Sequence, residues 1–146
     1  TSNSLGNFRI QGIIFGGNLS LIYSLLGSSS SIQGLGLNET QGKILFIEDL
    51  DEYLYHIDRM IYSLKRSGIF NGLSALVVGG MTQIKDHNVS FGYSAKEIIL
   101  EAVSEESYPV VFDAPVGHLN DNRALTLGLP CSLTVKSGQA KINFYG

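Results

Sequence analysis

The stretch Lys43-Ile44-Leu45-Phe46-Ile47-Glu48-Asp49 constrains the possible folds of this chain more than any other. Four consecutive apolar residues, two of them isoleucine, suit a strand buried on both faces. The run ends abruptly in two acids. A carboxylate at the end of a buried strand is either a solvated loop residue or one placed at the mouth of a site. Asp51-Glu52-Tyr53-Leu54 then opens a helical pattern, so the acids occupy a strand-to-helix junction.

Other segments can be arranged around this strand. Thr1–Asn7 is polar and reads as a loose end or linker. Phe8–Phe15 alternates and then turns fully apolar, as a strand would, and Gly16-Gly17 is expected to break it. Asn18 is placed to cap a short helix over Leu19–Leu26. Gly27–Thr40, with Ile32 and Leu35 its main apolar residues, reads as a loop or an irregular strand pair. Leu54, Ile57, Ile61 and Leu64 recur at helical spacing, widened by Tyr53 and Met60, and Gly68 is a natural stop after Lys65 and Arg66. His56 lies off that stripe. Ser74–Gly80 is a second buried strand ended by its glycines, and Met81–Tyr93 a polar loop. Ser94 and Glu97 have the spacing of a capping box before a helix whose inner face is Ile98, Ile99, Ala102 and Val103. Pro109–Phe112 is a third strand, and Ser132–Lys136 with Gln139–Tyr145 forms a hairpin around Ser137-Gly138. Strand–helix–strand order through the middle predicts an α/β core with extra antiparallel strands at its ends.

Composition excludes several functions. A chain of 146 residues makes one domain, able to bury roughly 70% of its unfolded surface. The net charge of −3 and the absence of any basic cluster argue against a nucleic-acid partner. No apolar run approaches the length of a membrane span, so no membrane partner is expected. Cys131 is the single cysteine, which rules out an internal disulfide and a multi-cysteine metal site. There is no phosphate-binding glycine loop, no dinucleotide fingerprint and no zinc-binding His-Glu-x-x-His, so neither metal nor cofactor is expected. The chain begins Thr-Ser-Asn-Ser without methionine, as a processed or cut-out piece would.

His118 is the strongest candidate for chemistry. It follows Gly117 in a loop after the third strand, among Asn120, Asp121, Asn122 and Arg123. A loop imidazole there is either an exposed surface group or a general base. If Glu48 and His118 end neighbouring strands, the carboxylate can orient the imidazole, which is two-thirds of a hydrolytic triad. A nucleophile is missing. Ser94, in Gly-Tyr-Ser-Ala, is explained as a helix cap, and nothing in the sequence brings Cys131 near a base.

Gly-Gly-Asn-Leu-Ser at 16–20, Gly-Lys-Ile-Leu-Phe-Ile-Glu-Asp at 42–49, Ile-Asp-Arg-Met at 57–60, Val-Val-Gly-Gly-Met-Thr at 77–82, Pro-Val-Gly-His-Leu-Asn-Asp-Asn at 115–122 and Leu-Thr-Leu-Gly at 125–128 occur in that order. As a set they resemble the C-terminal domain of the LD-carboxypeptidase family, which includes muramoyltetrapeptide carboxypeptidases and the microcin-C-immunity serine peptidases. The resemblance runs from about Gly16 to Val135. It implies a swivelling β/β/α-type domain with a small, mostly parallel core sheet and a C-terminal β-hairpin. It divides the chain into a linker and first strand (1–15) and a C-terminal catalytic half-domain (16–146). In that family the glutamate falls on Glu48 and the histidine on His118, while an N-terminal domain, absent here, carries the serine. The implied parent is a cytoplasmic serine peptidase that releases terminal D-alanine from murein tetrapeptide in wall recycling, often as a homodimer, and this piece alone would be inactive. Asn122 and Asp49 are further candidates for touching the substrate or shaping the loops. The competing expectation is a non-catalytic binding or dimerisation domain. The distance between Glu48 and His118 discriminates the two.

Overall fold

A computed structural model describes residues 6–32 and 42–145. The beginning of the expected loose end and the 33–40 portion of the expected Gly27–Thr40 loop, Leu35 included, lie outside the described residues. The chain runs β1 (Phe8–Asn18), α1 (Leu19–Ser24), β2 (Lys43–Leu50), α2 (Leu54–Ser67), β3 (Ala75–Thr82), α3 (Ala95–Ala102), β4 (Val110–Val111), β5 (Pro130–Lys136) and β6 (Gln139–Phe144). The strands form one six-stranded sheet in the order β4-β3-β2-β1-β5-β6. From β4 to β1 the pairing is parallel; β5 joins β1 antiparallel and closes the C-terminal hairpin with β6. This is the α/β domain with a mostly parallel core and terminal hairpin expected from the sequence.

The apolar run of β2 is explained by its position in the sheet interior, between β1 and β3. Successive side chains alternate between faces, and here both faces are dry. Leu45 and Ile47 join the core beneath the helices with Ile57, Met60, Ile61, Leu64, Ile98 and Ile99. Ile44 and Phe46 join a second core on the helix-free face, with Ile14, Val77, Val111, Leu133 and Val135. That face is closed by the sheet's own hairpin and by the segment after β4, through Ala114, Val116, Leu125, Ile142 and Phe144.

Local signals hold the elements in place. Asn18 accepts from the Leu21 N–H, satisfying one free donor of α1. Gly68 ends α2 in the left-handed conformation at φ 83°. Ser94 and Glu97 form the reciprocal capping box of α3. Helix α1 is shorter than expected, ending at Ser24, where turns begin.

Two expectations are corrected. Gly16-Gly17 does not break β1, which continues to Asn18, and Gly79-Gly80 does not end β3, which continues to Thr82. Gly16, Gly79 and Gly80 admit other segments of the chain at close range. A Cβ on Gly16, where φ is 125°, would be driven into the Phe46 carbonyl of β2. A Cβ on Gly79 would lie 2.8 Å from the Phe46 ring, and one on Gly80 2.8 Å from the Leu119 side chain. β4 is also shorter than expected, Val110–Val111 alone.

These contacts set different costs for neighbouring substitutions. Gly16→Ala is expected to lower the unfolding free energy by about 3 kcal/mol, combining backbone strain with a clash that β2 cannot relieve. Gly17→Ala, with φ 149° but open space around it, should cost about 1 kcal/mol. Urea denaturation of the two variants checks the ranking.

Candidate active site

The site grows from the end of β2. Alternation sends Glu48 and Asp49 to opposite faces, Glu48 toward the helix-free side with Phe46, and Asp49 toward α1. The pairing of β2 with β3 shifts register between Ile47 and Asp49, so Gly79 and Gly80 both lie beside Glu48. A bulge of this kind re-aims side chains at a sheet edge or site. Here it makes room for the loop that follows β4.

That loop is pinned across the end of β3. Ala114 N–H donates to the Val78 carbonyl at 3.1 Å, and Gly80 N–H to the Val116 carbonyl at 3.0 Å. The Thr82 hydroxyl donates to the His118 carbonyl at 3.0 Å. Asn122 folds back, its Oδ1 accepting from Gly117 N–H at 3.1 Å. Gly117 passes directly over Glu48. Its φ is 112°, and a Cβ there would sit 2.8 Å from Glu48 Oε2 and 3.0 Å from Glu48 Cβ and Cγ. Only glycine fits that conformation and that clearance.

The result brings together two residues 70 positions apart. His118 Nδ1 lies 2.8 Å from Glu48 Oε2. The carboxylate side chain is 8% exposed and the imidazole 52% exposed. A buried carboxylate needs a donor, and Glu48 takes it from Nδ1, which fixes the tautomer with Nδ1–H and leaves Nε2 as the acceptor. Nε2 hydrogen-bonds to no described residue. Such an arrangement can take a proton at Nε2 and stabilise the resulting cation through the carboxylate behind it. An open groove of about 850 Å³ begins beside the loop, lined by Thr82, Leu119 and Asn120 among others; Glu48 and His118 do not line it.

The other two candidates point elsewhere. Asp49 is 2% exposed and fully engaged: it accepts from Asn18 Nδ2 at 3.1 Å, Ser20 N–H at 3.0 Å and Leu50 N–H at 2.8 Å. It ties the end of β2 to the start of α1. Asn122 is exposed, and its contact with Gly117 shapes the His118 loop. Ser94 is held by Glu97 as a cap. Cys131 is buried in β5, and burial pushes its thiol pKa up, away from the reactive thiolate.

Sequence reasoning missed Thr82, whose place beside His118 follows from tertiary structure, and the pair His56–Glu52, 2.6 Å apart. The second was signalled by the four-residue spacing at the start of a helix. Among the described residues no three acidic, histidine or cysteine side chains gather as a metal site would require.

The family description "LD-carboxypeptidase C-terminal domain" matches residues 11–133. The chain belongs to the LD-carboxypeptidase family. The probable murein peptide carboxypeptidase of Bacillus subtilis (strain 168) is 28% identical over 134 residues, covering 92% of this chain and 40% of the relative. The murein tetrapeptide carboxypeptidase of Pseudomonas aeruginosa is 29% identical over 120 residues, covering 82% of this chain and 37% of the relative. The crystal structure of muramoyltetrapeptide carboxypeptidase from Oxalobacter formigenes superposes with a TM-score of 0.78 at 30% identity, covering 95% of this chain and 47% of that one. This LD-carboxypeptidase domain therefore spans less than half the length of each of these relatives. No helix among its described residues is long and apolar enough to cross a membrane.

Asp49, one of two buried acids among the described residues, gives the domain a specific pH response. Burial raises the Asp49 carboxyl pKa above its ordinary value, against the opposing pull of its hydrogen bonds to Leu50, Asn18 and Ser20. The folded chain thus holds this proton more tightly than the unfolded chain. The associated stability is present below the unfolded pKa and is lost as pH rises through the folded one. Relative to Asp49→Asn, the wild-type chain should lose stability as pH rises from about 4, the ordinary aspartate value, toward neutrality. Paired urea titrations across that range read the sign directly.

Proposed function

We propose that this chain is the C-terminal half of a serine-type LD-carboxypeptidase. Its substrate is a murein tetrapeptide or a related peptide, from which terminal D-alanine is released during cytoplasmic wall recycling. The observation that carries the reading is the 2.8 Å contact between His118 Nδ1 and Glu48 Oε2, since a domain used only for binding or dimerisation has no need of a buried carboxylate aimed at a half-exposed imidazole. The names of the relatives support the substrate class.

In this reading the nucleophile is a serine on an N-terminal domain outside this chain. The site is completed when that hydroxyl meets His118 Nε2. His118 removes the serine proton as the hydroxyl attacks the carbonyl of the scissile amide, and then returns it to the departing amine of D-alanine. Glu48 keeps Nδ1 protonated so that Nε2 is basic, and stabilises the imidazolium while it exists. Asn122 and Asp49 act on the loops, Asn122 through Gly117 and Asp49 through the start of α1. Alone, the chain is inert, because a general base without a nucleophile has nothing to activate. The family resemblance also implies a homodimer, with neither metal nor cofactor.

The test uses the full-length protein that carries this chain and an L,D-tetrapeptide, with release of D-alanine as the readout. Glu48→Gln should lower kcat by roughly 10⁴-fold by favouring the wrong tautomer, and His118→Ala by at least as much, with little change in KM. Undiminished release by His118→Ala would remove the proposed base and return the chain to the binding-domain reading.

A further inference from the structure

We infer that Thr82 is a positioning residue for the imidazole: its hydroxyl sets where His118 stands relative to Glu48. The inference rests on the Glu48–His118 pair being the catalytic one, and adds to it the element that registers the two halves of the pair.

Thr82 is the last residue of β3 and pairs with Leu50, two residues beyond Glu48. It grips both sides of the site. Its main-chain carbonyl accepts from Asp51 N–H at 3.0 Å, fixing the exit of β2. Its hydroxyl donates to the His118 carbonyl at 3.0 Å. One residue therefore ties the strand end that carries the carboxylate to the loop that carries the imidazole.

The hydroxyl is poorly backed up. Upstream, the loop is fixed at Val116 by Gly80 N–H. Between that point and His118 lies Gly117, with no side chain to restrict it, held through the exposed Asn122 amide and by its carbonyl, which accepts from Leu119 N–H at 3.0 Å within the same loop. Among the described residues, His118 makes one main-chain hydrogen bond, to the Thr82 hydroxyl, and one side-chain hydrogen bond, to Glu48. Without the hydroxyl the loop can pivot at Gly117 and the ring can swing off the carboxylate. The fold has less reason to respond. Thr82 is half-buried and the His118 carbonyl lies on the exposed loop, where water can replace the lost donor.

Two measurements test the role. In this chain, ¹⁵N shifts of the His118 ring report its tautomer. Wild type should hold the Nδ1–H form. Thr82→Val, which keeps the β-branched shape and removes the donor, should move the ring toward the mixed tautomers of an untethered imidazole, with little change in melting temperature. Thr82→Ser should restore the wild-type signature, and Thr82→Ala takes the place of valine if that variant fails to fold. In the full-length protein Thr82→Val should lower kcat about 10- to 100-fold with KM unchanged, the scale of effect of a small misplacement, and serine should recover most of it. A wild-type tautomer and wild-type kcat in a folded Thr82→Val or Thr82→Ala variant would overturn the role of Thr82 while leaving the pair intact. A wild-type chain without the Nδ1–H form would overturn the pair itself, and the positioning role with it.

Discussion

The arrangement of this domain depends on a carboxylate placed where a doubly buried strand runs out. Glu48 cannot be solvated as a surface acid would be, and a buried charge without a donor costs several kcal/mol. The fold supplies the donor from 70 residues away. To do so it bulges β3 at two glycines, carries the chain after β4 back across the strand end, and puts a third glycine against the carboxylate. The pair adds little to stability, because the imidazole is half in water, where ionic attraction is screened. Its value lies in orientation: one nitrogen of the ring is held and the other is left free.

The two acids at the end of β2 show how one strand end serves two purposes. Neighbours in sequence, they face opposite sides of the sheet. Asp49 is tied up by three donors and serves architecture, holding the turn between β1 and α1 against the strand end. Among the described residues Glu48 has a single side-chain partner, and that partner is exposed. The contrast in hydrogen-bond saturation separates a structural carboxylate from one available for chemistry, where burial alone does not, since both are buried.

Much of this was legible in the sequence because it is local. Doubly buried strands are written as apolar runs, α2 as a stripe at helical spacing, and α1 and α3 as their capping residues. What could not be read were features that depend on a distant partner. Gly16-Gly17 and Gly79-Gly80 look like breaks because glycine usually signals a turn, yet each pair lies inside a strand. The missing side chains of Gly16, Gly79 and Gly80 are required by the Phe46 carbonyl and ring, and by Leu119, which only the folded structure brings near, while Gly17 has open space around it. Glu48 and His118 could be nominated from their positions after strands, but their meeting needed the parallel order β4-β3-β2, which brings the ends of β2 and β4 to one edge with β3 between them. Thr82 left no local trace, because a threonine at the end of a strand has an ordinary β-propensity explanation.

The open side of the imidazole is where architecture and proposed chemistry meet. A general base is useful only if its acceptor nitrogen reaches a proton that needs removing, and Nε2 faces no described residue of this domain. The protein side of the ring is finished: carboxylate, glycine clearance, loop braces and strand register are all supplied from within the chain. The unfinished side is the one a serine would occupy in the proposed enzyme. Division of the machinery in this way has a physical advantage. The carboxylate–imidazole pair can be preorganised by a rigid sheet, at the precision that catalysis demands, while the nucleophile and the peptide approach from the solvent side. In the proposed enzyme, a site built across a domain junction excludes water as the junction closes, strengthening the same carboxylate–imidazolium interaction that is weak while the ring is half-exposed.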